Sequence, residues 1–420
     1  MATCRSWRDA ARINYRARQR RVPATPDALL DAVAASTPGD TLFLEPGRHT
    51  LSTELVLEHP LRLLGVHSSA EGENSAASGD SAAVCASRGE RCEAEGAAEG
   101  TACCGAVICS PQHVLLRTRC CSHLEGITLC RTGDEVGYPN TVAFAEVGKL
   151  TMDSCRITCC GDASVAEALR ALDNAPTPGQ PFGRDHETVS AQPTKAHLDV
   201  ESDEAGAHDG EGSALGRPQT GIWVGAAASV FLRRNLIVGT AGPGIKIYRG
   251  ELDAEENTIA FSGTGANVVA NGGRVELRRN EIAGASGDGV SAWNGASMRI
   301  DSNRIHRYLF SPTAPISPIC RTPLFPYLTF YSCFCSNSGS GIAVNSAGGR
   351  EMEITDNAVF NNSAAGLQFL KGQLPQAHVS RNAIEANGRD AQPAARGIGG
   401  GGALGAAPPM RRVRSADQAA

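Results

Sequence analysis

The sequence predicts an all-β protein: a right-handed parallel β-helix with a short N-terminal helical segment and disordered insertions. The first observation is a repeated phrase, an asparagine followed two residues later by Ile or Val. It occurs at Asn235, Asn257, Asn280, Asn303, Asn357 and Asn382. The steps between these asparagines are 22, 23, 23, 54 and 25 residues. The step of 54 equals one ordinary repeat plus an insertion of roughly thirty residues, and a period in this range is typical of solenoids.

The second observation is a glycine before a short apolar stretch in most repeats. These glycines are Gly221, Gly244, Gly289, Gly341 and Gly366. Alternation of apolar and polar residues, as in 274–277, predicts half-buried strands. Two or three short strands and a polar turn describe one coil of the solenoid. A coil cannot bury its apolar face alone, so successive coils stack about 4.8 Å apart. Leucine-rich repeats share the period, but the sequence lacks their leucine signature.

The recurring asparagines are predicted to be structural. At a fixed turn position, each amide lies above the amide of the next coil and can bond to it. We therefore expect one column of hydrogen-bonded side chains along the solenoid.

Composition narrows the class of protein. The chain has 420 residues, of which 41% are hydrophobic and only 5% aromatic, and its 47 glycines suit narrow coils better than a compact α/β enzyme. A formal charge of −5 argues against an obligatory nucleic-acid partner. Apolar runs stay well short of the roughly 18 residues of a membrane span, so no membrane association is expected. No cofactor is predicted.

The fifteen cysteines leave three interpretations open. They are buried thiols, ligands of a metal in the 85–121 region, or disulfides. Cys155 occupies the position that asparagine has in later coils, which favours a packing role. No spacing typical of a zinc finger is present, so no metal ligand is assigned.

The order of segments is predicted as follows. Residues 1–22 are a basic N-terminal helix or, by the resemblance described below, the remnant of a larger helical domain's C-terminal end. Residues 23–160 are the first coils with a low-complexity insertion at 67–104, 161–218 an acidic disordered insertion, 219–390 the later coils with an aromatic insertion at 308–338, and 391–420 a disordered tail. Residues 26–33 read as an amphipathic helix that covers the open first coil. The solenoid is expected to start near residue 39.

The candidate binding residues are those that alternation directs outward. Trp223, Lys246 and Gln368 share one outward position, and Tyr248, Trp293 and Asn345 share the next. Exposed aromatic rings mixed with amides suit a peptide or a sugar face. The alternative is that the 308–338 insertion covers these rings.

No catalytic residue is predicted. Polysaccharide cleavage needs paired carboxylates, or a base with a cation. The acids of the coils are scattered over turn and second-strand positions: Glu255, Glu256, Asp288, Asp301 and Asp356. The chain is therefore interpreted as a binding protein.

The N-terminal half resembles the F-box proteins that carry a β-helix, above all the plant Skp-interacting type and more distantly the animal F-box-only type. The matching segments lie within residues 1–160: Cys4-Arg5-Ser6-Trp7-Arg8, similar to the Cys-x-x-Trp end of an F-box, then 32–42, 60–65 and 148–155. Only the segment around Cys4 and Trp7 is specific to F-boxes. The later coils resemble pectin-lyase-like solenoids in general, including sugar-active ones.

The resemblance implies a substrate adaptor of a Skp/cullin ubiquitin ligase, located in the cytoplasm or nucleus, if the remaining F-box helices lie upstream of Met1. Without them, it implies a β-helix that binds a protein or a glycan. The alternative class is a carbohydrate-binding or polysaccharide-active β-helix protein. For the first 21 residues, a mitochondrial transit peptide is a further reading.

Overall fold

The computed structural model describes residues 18–66, 105–132, 139–159, 219–263, 265–306, 337, 339–345, 352–369, 377–385 and 387–388. Among them is one helix, α1 (Ala28–Ala34). The strands are β1 (Gln19–Val22), β2 (Thr41–Leu44), β3 (Gly47–Thr50), β4 (Leu55–Leu57), β5 (Leu61–Gly65), β6 (Ala106–Ser110), β7 (Val114–Thr118), β8 (Ser122–Glu125), β9 (Ile127–Arg131), β10 (Thr141–Asp153), β11 (Arg156–Thr158), β12 (Thr220–Arg233), β13 (Leu236–Val238), β14 (Ile245–Tyr248), β15 (Glu251–Glu255), β16 (Thr258–Ala260), β17 (Val268–Asn271), β18 (Arg274–Arg278), β19 (Glu281–Ala283), β20 (Val290–Trp293), β21 (Ser297–Asp301), β22 (Arg304–His306), β23 (Ile342–Asn345), β24 (Met352–Thr355), β25 (Ala358–Phe360), β26 (Leu367–Phe369), β27 (Ala377–Ser380) and β28 (Ala383–Glu385).

The strands form two parallel sheets that enclose one core. Sheet A has 18 strands and sheet B has 10. Sheet A is bent, and we call its halves arm 1 (β4, β7, β14, β17, β20, β23, β26) and arm 2 (β1, β2, β5, β8, β15, β18, β21, β24, β27). The long strands β10 and β12 run through both arms. Each coil passes from arm 1 to arm 2 to sheet B, which confirms the predicted parallel β-helix.

Alternating side chains of every face point into the core. On sheet B, Ile237, Ile259, Ile282 and Ile305 are fully buried and lie in register. They are the Ile of the recurring asparagine phrase, so each phrase supplies one turn residue and one core residue. Stacking these residues buries apolar surface that a single coil would leave in water.

The predicted asparagine column is confirmed. The side-chain oxygen of each asparagine accepts two hydrogen bonds from the preceding one, at 2.8–2.9 Å from its backbone nitrogen and 2.9–3.1 Å from its Nδ2. Each Nδ2 also donates to a backbone carbonyl of the preceding coil, for example Asn280 to Ala254 at 2.8 Å. The column begins at Cys155, whose backbone N–H donates to Asn235 at 2.9 Å. Buried polar groups at this corner are thereby satisfied.

The residue before each column position has a left-handed backbone. Its φ lies between 52° and 57° at Ser154, Arg234, Glu256, Arg279, Ser302, Asp356 and Arg381. Several of these exposed side chains alternate in charge from coil to coil. Arg279 pairs with Glu255 and Glu256 of the preceding coil, and Arg381 pairs with Asp356 at 2.6 Å.

Long connections interrupt the chain without interrupting the stack. Residues 133–138, 160–218 and 307–336 each lie between a sheet B strand and the next arm 1 strand. Across the last of them, β22 pairs directly with β25. The Nδ2 of Asn337 donates to the carbonyl of His306 at 3.0 Å, so both ends of that connection meet.

The first strand corrects the predicted N-terminal boundary. Residues 1–22 were expected to be an F-box remnant or a basic helix, and the solenoid was expected to start near residue 39. Instead, Gln19–Val22 form a strand in parallel register with Thr41–Leu44. Val22 is buried in the common core with Leu29 and Val33 of α1. The sequence hides this strand because three of residues 18–22 are arginines and only Val22 of Gln19–Val22 is buried.

A second column of amides was not predicted. Asn337 donates to Asn362 and Asn362 to Asn387, each at 2.9 Å, and the oxygen of Asn337 accepts the backbone N–H of Ala285 at 2.7 Å. Asn362 and Asn387 follow the predicted column by five residues. In earlier coils this position holds Thr240, Ser262 and Ala285, so the repeat is visible only in the last coils.

Candidate binding face on arm 1

Arm 1 presents two rows of outward side chains. Ile222, Val224, Ile245 and Ile247 are fully buried, as alternation predicts. The intervening positions form what we call the inner row: Arg117, Phe144, Trp223, Lys246, Val269, Ser291, Ala343 and Gln368. Two residues further along the strands lies the exposed row: Tyr248, Asn271, Trp293 and Asn345. The six sequence-predicted binding residues lie at these alternate positions, and their exposure differs.

Trp223 faces outward but is covered, which corrects the expectation that it meets solvent. Only 9% of its surface is exposed. The ammonium nitrogen of Lys246 lies 4.5 Å from the centroid of its ring, and the Phe144 ring lies 6.0 Å away on the preceding coil. The guanidinium of Arg117 lies 5.2 Å from the centroid of Phe144. Cation–aromatic stacking thus continues through four coils, and Trp223 and Lys246 stabilise one another.

The pair of Arg117 and its acids anchors this stack. Arg117 donates to Glu54 at 2.6 Å and to Glu146 at 3.1 Å. Although burial alone lowers the pKa of an arginine, the two carboxylates raise the pKa of Arg117 above its ordinary value. Burial raises the pKa of Glu146, but its contacts with Arg119 and Arg117 outweigh burial and hold the pKa below its ordinary value. This end of the inner row is a closed ion-pair network.

The exposed row offers two aromatic rings to solvent. Tyr248 is 42% and Trp293 is 37% exposed, while Asn271 between them is half-buried. The indole N–H of Trp293 donates to the Ser291 hydroxyl at 2.6 Å. This bond fixes the ring plane, so Trp293 is preorganised for contact with a ligand.

Two residues at the adjoining corner complete the exposed row and were missed in the sequence. The amide of Asn294 donates to the side-chain oxygen of Asn271 at 2.8 Å. The guanidinium of Arg249 lies 5.4 Å from the centroid of the Tyr248 ring. Both are left-handed turn residues directly after an aromatic one, with φ of 50° and 59°. The sequence did contain a signal for these two residues: Tyr248-Arg249 and Trp293-Asn294 repeat an aromatic residue followed by Arg or Asn at one position of the coil.

Gln368 and Asn345 lie at the last described coils of the two rows. The side-chain oxygen of Gln368 accepts a hydrogen bond from the buried Ser340 hydroxyl at 2.7 Å. Gln368 of the inner row is thus bonded to the preceding coil. Asn345 is half-buried and follows Trp293 in register. Of the six sequence-predicted binding residues, Tyr248, Trp293 and Asn345 therefore share the exposed row.

Four of the five acids lie along the corner between arm 2 and sheet B, and each has a partner there. Glu255 and Glu256 pair with Arg279, and Asp356 pairs with Arg381. Asp301 accepts the hydroxyl of Thr355 at 3.0 Å. Asp288 lies at another corner, before β20, where burial raises its pKa and the backbone N–H of Ser340 donates to it at 2.7 Å.

A second polar cluster lies on the outer side of sheet B. The carboxylate of Glu281 is 3.1 Å from the Nε2 of His306, and the ring of Phe360 stacks on that imidazole with centroids 4.8 Å apart. Burial raises the pKa of Glu281, but His306 and Arg304 outweigh it and hold the pKa below its ordinary value. The cluster joins three consecutive coils and reads as structural.

The described cysteines include buried thiols and one disulfide-bonded residue, two of the three interpretations left open by the sequence. Cys109, Cys120, Cys130, Cys155 and Cys159 are buried thiols, while Cys121 is disulfide-bonded. Burial raises the pKa of the Cys155 thiol to about 12, so it stays protonated at neutral pH. Within the described part of the chain, no cluster of His, Cys, Asp or Glu is arranged to hold a metal. The same part contains no helix with the length and apolarity to cross a bilayer.

The predicted partner-binding residues Cys4 and Trp7 lie outside the described residues. So do the predicted insertions at 67–104 and 161–218, the tail at 391–420 and, apart from residue 337, the predicted insertion at 308–338. The expectation that the aromatic insertion covers Trp293 and Tyr248 also falls there.

Comparison with known proteins identifies the fold. The family model of the right-handed β-helix region matches residues 206–305. A search of curated proteins gave no match. Among solved structures, the chain is similar to the PL6 family alginate lyase AlyGC (TM-score 0.42, 10% identity, 88% of this chain and 40% of that one) and to the pectate lyase Pel9A (TM-score 0.39, 11% identity, 91% and 82%). It is also similar to the Dettilon tailspike protein (TM-score 0.30, 11% identity, 86% and 64%). The chain thus spans less than half the length of the alginate lyase. With the parallel strand pairing, the family match identifies the fold as a right-handed parallel β-helix.

Proposed function

We propose that this chain is a non-catalytic recognition protein whose β-helix binds a partner protein on the exposed row of arm 1. The observation that carries the proposal is the pair of exposed rings, Tyr248 and Trp293, the second held in place by Ser291. Exposed aromatic side chains of limited freedom are typical anchors of protein interfaces. The acids of the coils support the same reading, because they pair with arginines or with Thr355 along the corner between arm 2 and sheet B.

Loss of captured partners tests this recognition role. The full chain is expressed with an affinity tag in the cells that naturally make it, and the bound proteins are quantified for the native protein and for Tyr248→Ala/Trp293→Ala. Arg299→Ala on arm 2 is the matched control, since Arg299 is an exposed residue of a neighbouring face. We expect specific partners to be lost only from the double variant. Equal capture by all three proteins would remove the proposal.

We further propose that the recognition module belongs to a substrate adaptor of a Skp/cullin ubiquitin ligase, active in the cytoplasm or nucleus. The support is the similarity of the segment around Cys4 and Trp7 to the end of an F-box. Association with a Skp-type adaptor is measured with the chain extended by its upstream codons, with Trp7→Ala as the variant. Absence of association in the extended native chain would sink the adaptor role and leave the recognition role standing.

A second candidate function is binding or cleavage of a carbohydrate on the same face. It is favoured by the alternation of aromatic rings and amides along the exposed row, a combination that also suits sugar faces. Incubation with a panel of neutral and acidic polysaccharides, followed by detection of binding and of new chain ends, tests it. Binding that disappears in Trp293→Ala would establish this function in place of protein recognition.

A further inference from the structure

The exposed row has a repeat that selects its ligand. Tyr248, Asn271 and Trp293 are consecutive in register, so the two rings are separated by two strand spacings, about 9.6 Å. A ligand that contacts both rings in the same way must repeat at that distance along the solenoid axis. An extended β-strand does not, because its side chains on one side recur about every 6.7 Å. A polyproline II helix rises about 3.1 Å per residue with three residues per turn, so it repeats about every 9.3 Å.

The polar groups between the rings suit the same ligand. The backbone of a polyproline II helix makes no internal hydrogen bonds, so its carbonyl oxygens are open acceptors. The side-chain oxygen of Asn271 accepts a hydrogen bond from Asn294, and the half-buried Asn271 retains its NH₂ group as a donor for a ligand between the two rings. Flat aromatic faces flanking a hydrogen-bond donor are the features with which proteins bind proline-rich segments.

The charged side chains on and beside the exposed row indicate what charge its ligand carries. Strands β14, β17, β20 and β23 carry one charged side chain between them, Lys246, which is a cation. The adjoining corner adds the exposed guanidinium of Arg249. Lys246 is packed on Trp223 in the inner row, so the cation beside the exposed rings is the Arg249 guanidinium. An acidic residue beside the prolines would complement it.

We infer that the exposed row binds a proline-rich segment of a partner protein, in the polyproline II conformation, with acidic residues beside the prolines. The ligand lies along the solenoid axis. One proline packs on Tyr248 and another, one turn later, on Trp293, while Asn271 donates to a carbonyl between them and Arg249 pairs with the flanking acid. The inference rests on the proposed recognition function and names its ligand.

A fluorescent peptide tests the inference directly. The probe begins with two glutamates and continues with proline at every third position and alanine elsewhere, and its binding to the full chain is followed by fluorescence anisotropy. A second peptide of identical composition in scrambled order, with the prolines off the three-residue period, is the matched ligand control. We expect Tyr248→Ala and Trp293→Ala each to weaken binding by about tenfold or more. Asn271→Ala and Arg249→Ala should have smaller effects, and only the Arg249 variant should flatten the salt dependence.

Val147→Ala is the matched protein control, since Val147 is also an exposed apolar side chain but lies outside the row. Circular dichroism establishes that each variant is folded. Equal binding of the periodic and scrambled peptides, or unchanged binding in both aromatic variants, would overturn the inference. So would a row that binds polysaccharides and no peptide. A further outcome is that the aromatic variants lose cellular partners while the native chain does not bind the proline peptide. That result would support the recognition function and contradict the ligand assignment.

Discussion

Asn303 and Asn357 are neighbours in the asparagine column although 54 residues separate them in the chain. The Nδ2 of Asn303 donates to the side-chain oxygen of Asn357 at 3.1 Å, and its backbone nitrogen donates to the same atom at 2.9 Å. These distances match those of the steps of 22 and 23 residues. The stack of coils, and not the length of the connection, therefore sets the register.

Removal of the long connection should leave the fold intact. Replacement of residues 308–335 by a short Gly-Ser linker keeps His306, Asn337 and the β22–β25 pairing. Because a shorter loop costs less closure entropy, the free energy of unfolding should be unchanged or higher by about 1–2 kcal/mol. Urea denaturation followed by circular dichroism measures it.

A clear drop in the urea midpoint would instead mean that the aromatic residues of the insertion pack on the coils, as their sequence suggested. Deletion of β22 itself is the control, and it should abolish cooperative unfolding.

Loss of a central amide should destabilise the protein more than loss of a terminal one. Asn280→Ala leaves the buried backbone N–H of Asn257 and the carbonyl of Ala254 without their partners. Unsatisfied buried groups cost about 1–3 kcal/mol each, so we expect a loss of about 3 kcal/mol. Asn382→Ala, at the end of the column and half-buried, should cost less than half of this. Chemical denaturation compares them, and equal losses would show that the column acts only locally.

The repeat and the column could be predicted from the sequence because both depend on residues at fixed spacing. The strand Gln19–Val22 could not, since its pairing with Thr41–Leu44 gives no periodic signal. The packing of Phe144 against Trp223 was equally hidden. The insertion at 160–218 separates these two residues in the chain, so their register cannot be read from a constant spacing. The ring of Trp293 differs because the hydroxyl that fixes it belongs to its own strand.

Reversal of one turn charge should weaken the stacking of coils. Arg279→Glu places a third carboxylate beside Glu255 and Glu256. These groups are partly exposed, so the expected loss is small, about 1 kcal/mol, and should shrink at high salt. The double variant Glu256→Arg/Arg279→Glu restores an opposite pair, and its denaturation midpoint should return toward that of the native protein. No recovery in the double variant would argue against pairing across coils.

Asp288 should make the protein less stable as the pH rises. Burial raises the pKa of this carboxyl above its ordinary value, so the folded state favours the protonated form. Its contribution is complete below the pKa of the unfolded chain and is lost as the pH rises through the folded pKa. Asp288→Asn keeps an acceptor for the Ser340 N–H and removes this loss. The variant should therefore be the more stable protein at pH 7 and match the native protein below about pH 3.

Thermal unfolding between these pH values measures the effect. Asp253→Asn is the control, since this change removes an ion pair with Arg278 and should give no gain at pH 7. A native protein whose stability relative to Asp288→Asn is the same at every pH would contradict the prediction.

The corner between sheet B and arm 1 has a consequence for how such a chain can change. Segments of very different size, 133–138, 160–218 and 307–336, are all joined there. The corner between arm 2 and sheet B meanwhile keeps the column from Asn235 to Asn382 at one-coil intervals. A foreign domain grafted at the corner between sheet B and arm 1 would project from a single flank of the rod. Neither the asparagine column nor the exposed row would change its position. Such a chain could therefore acquire new domains and keep its recognition surface.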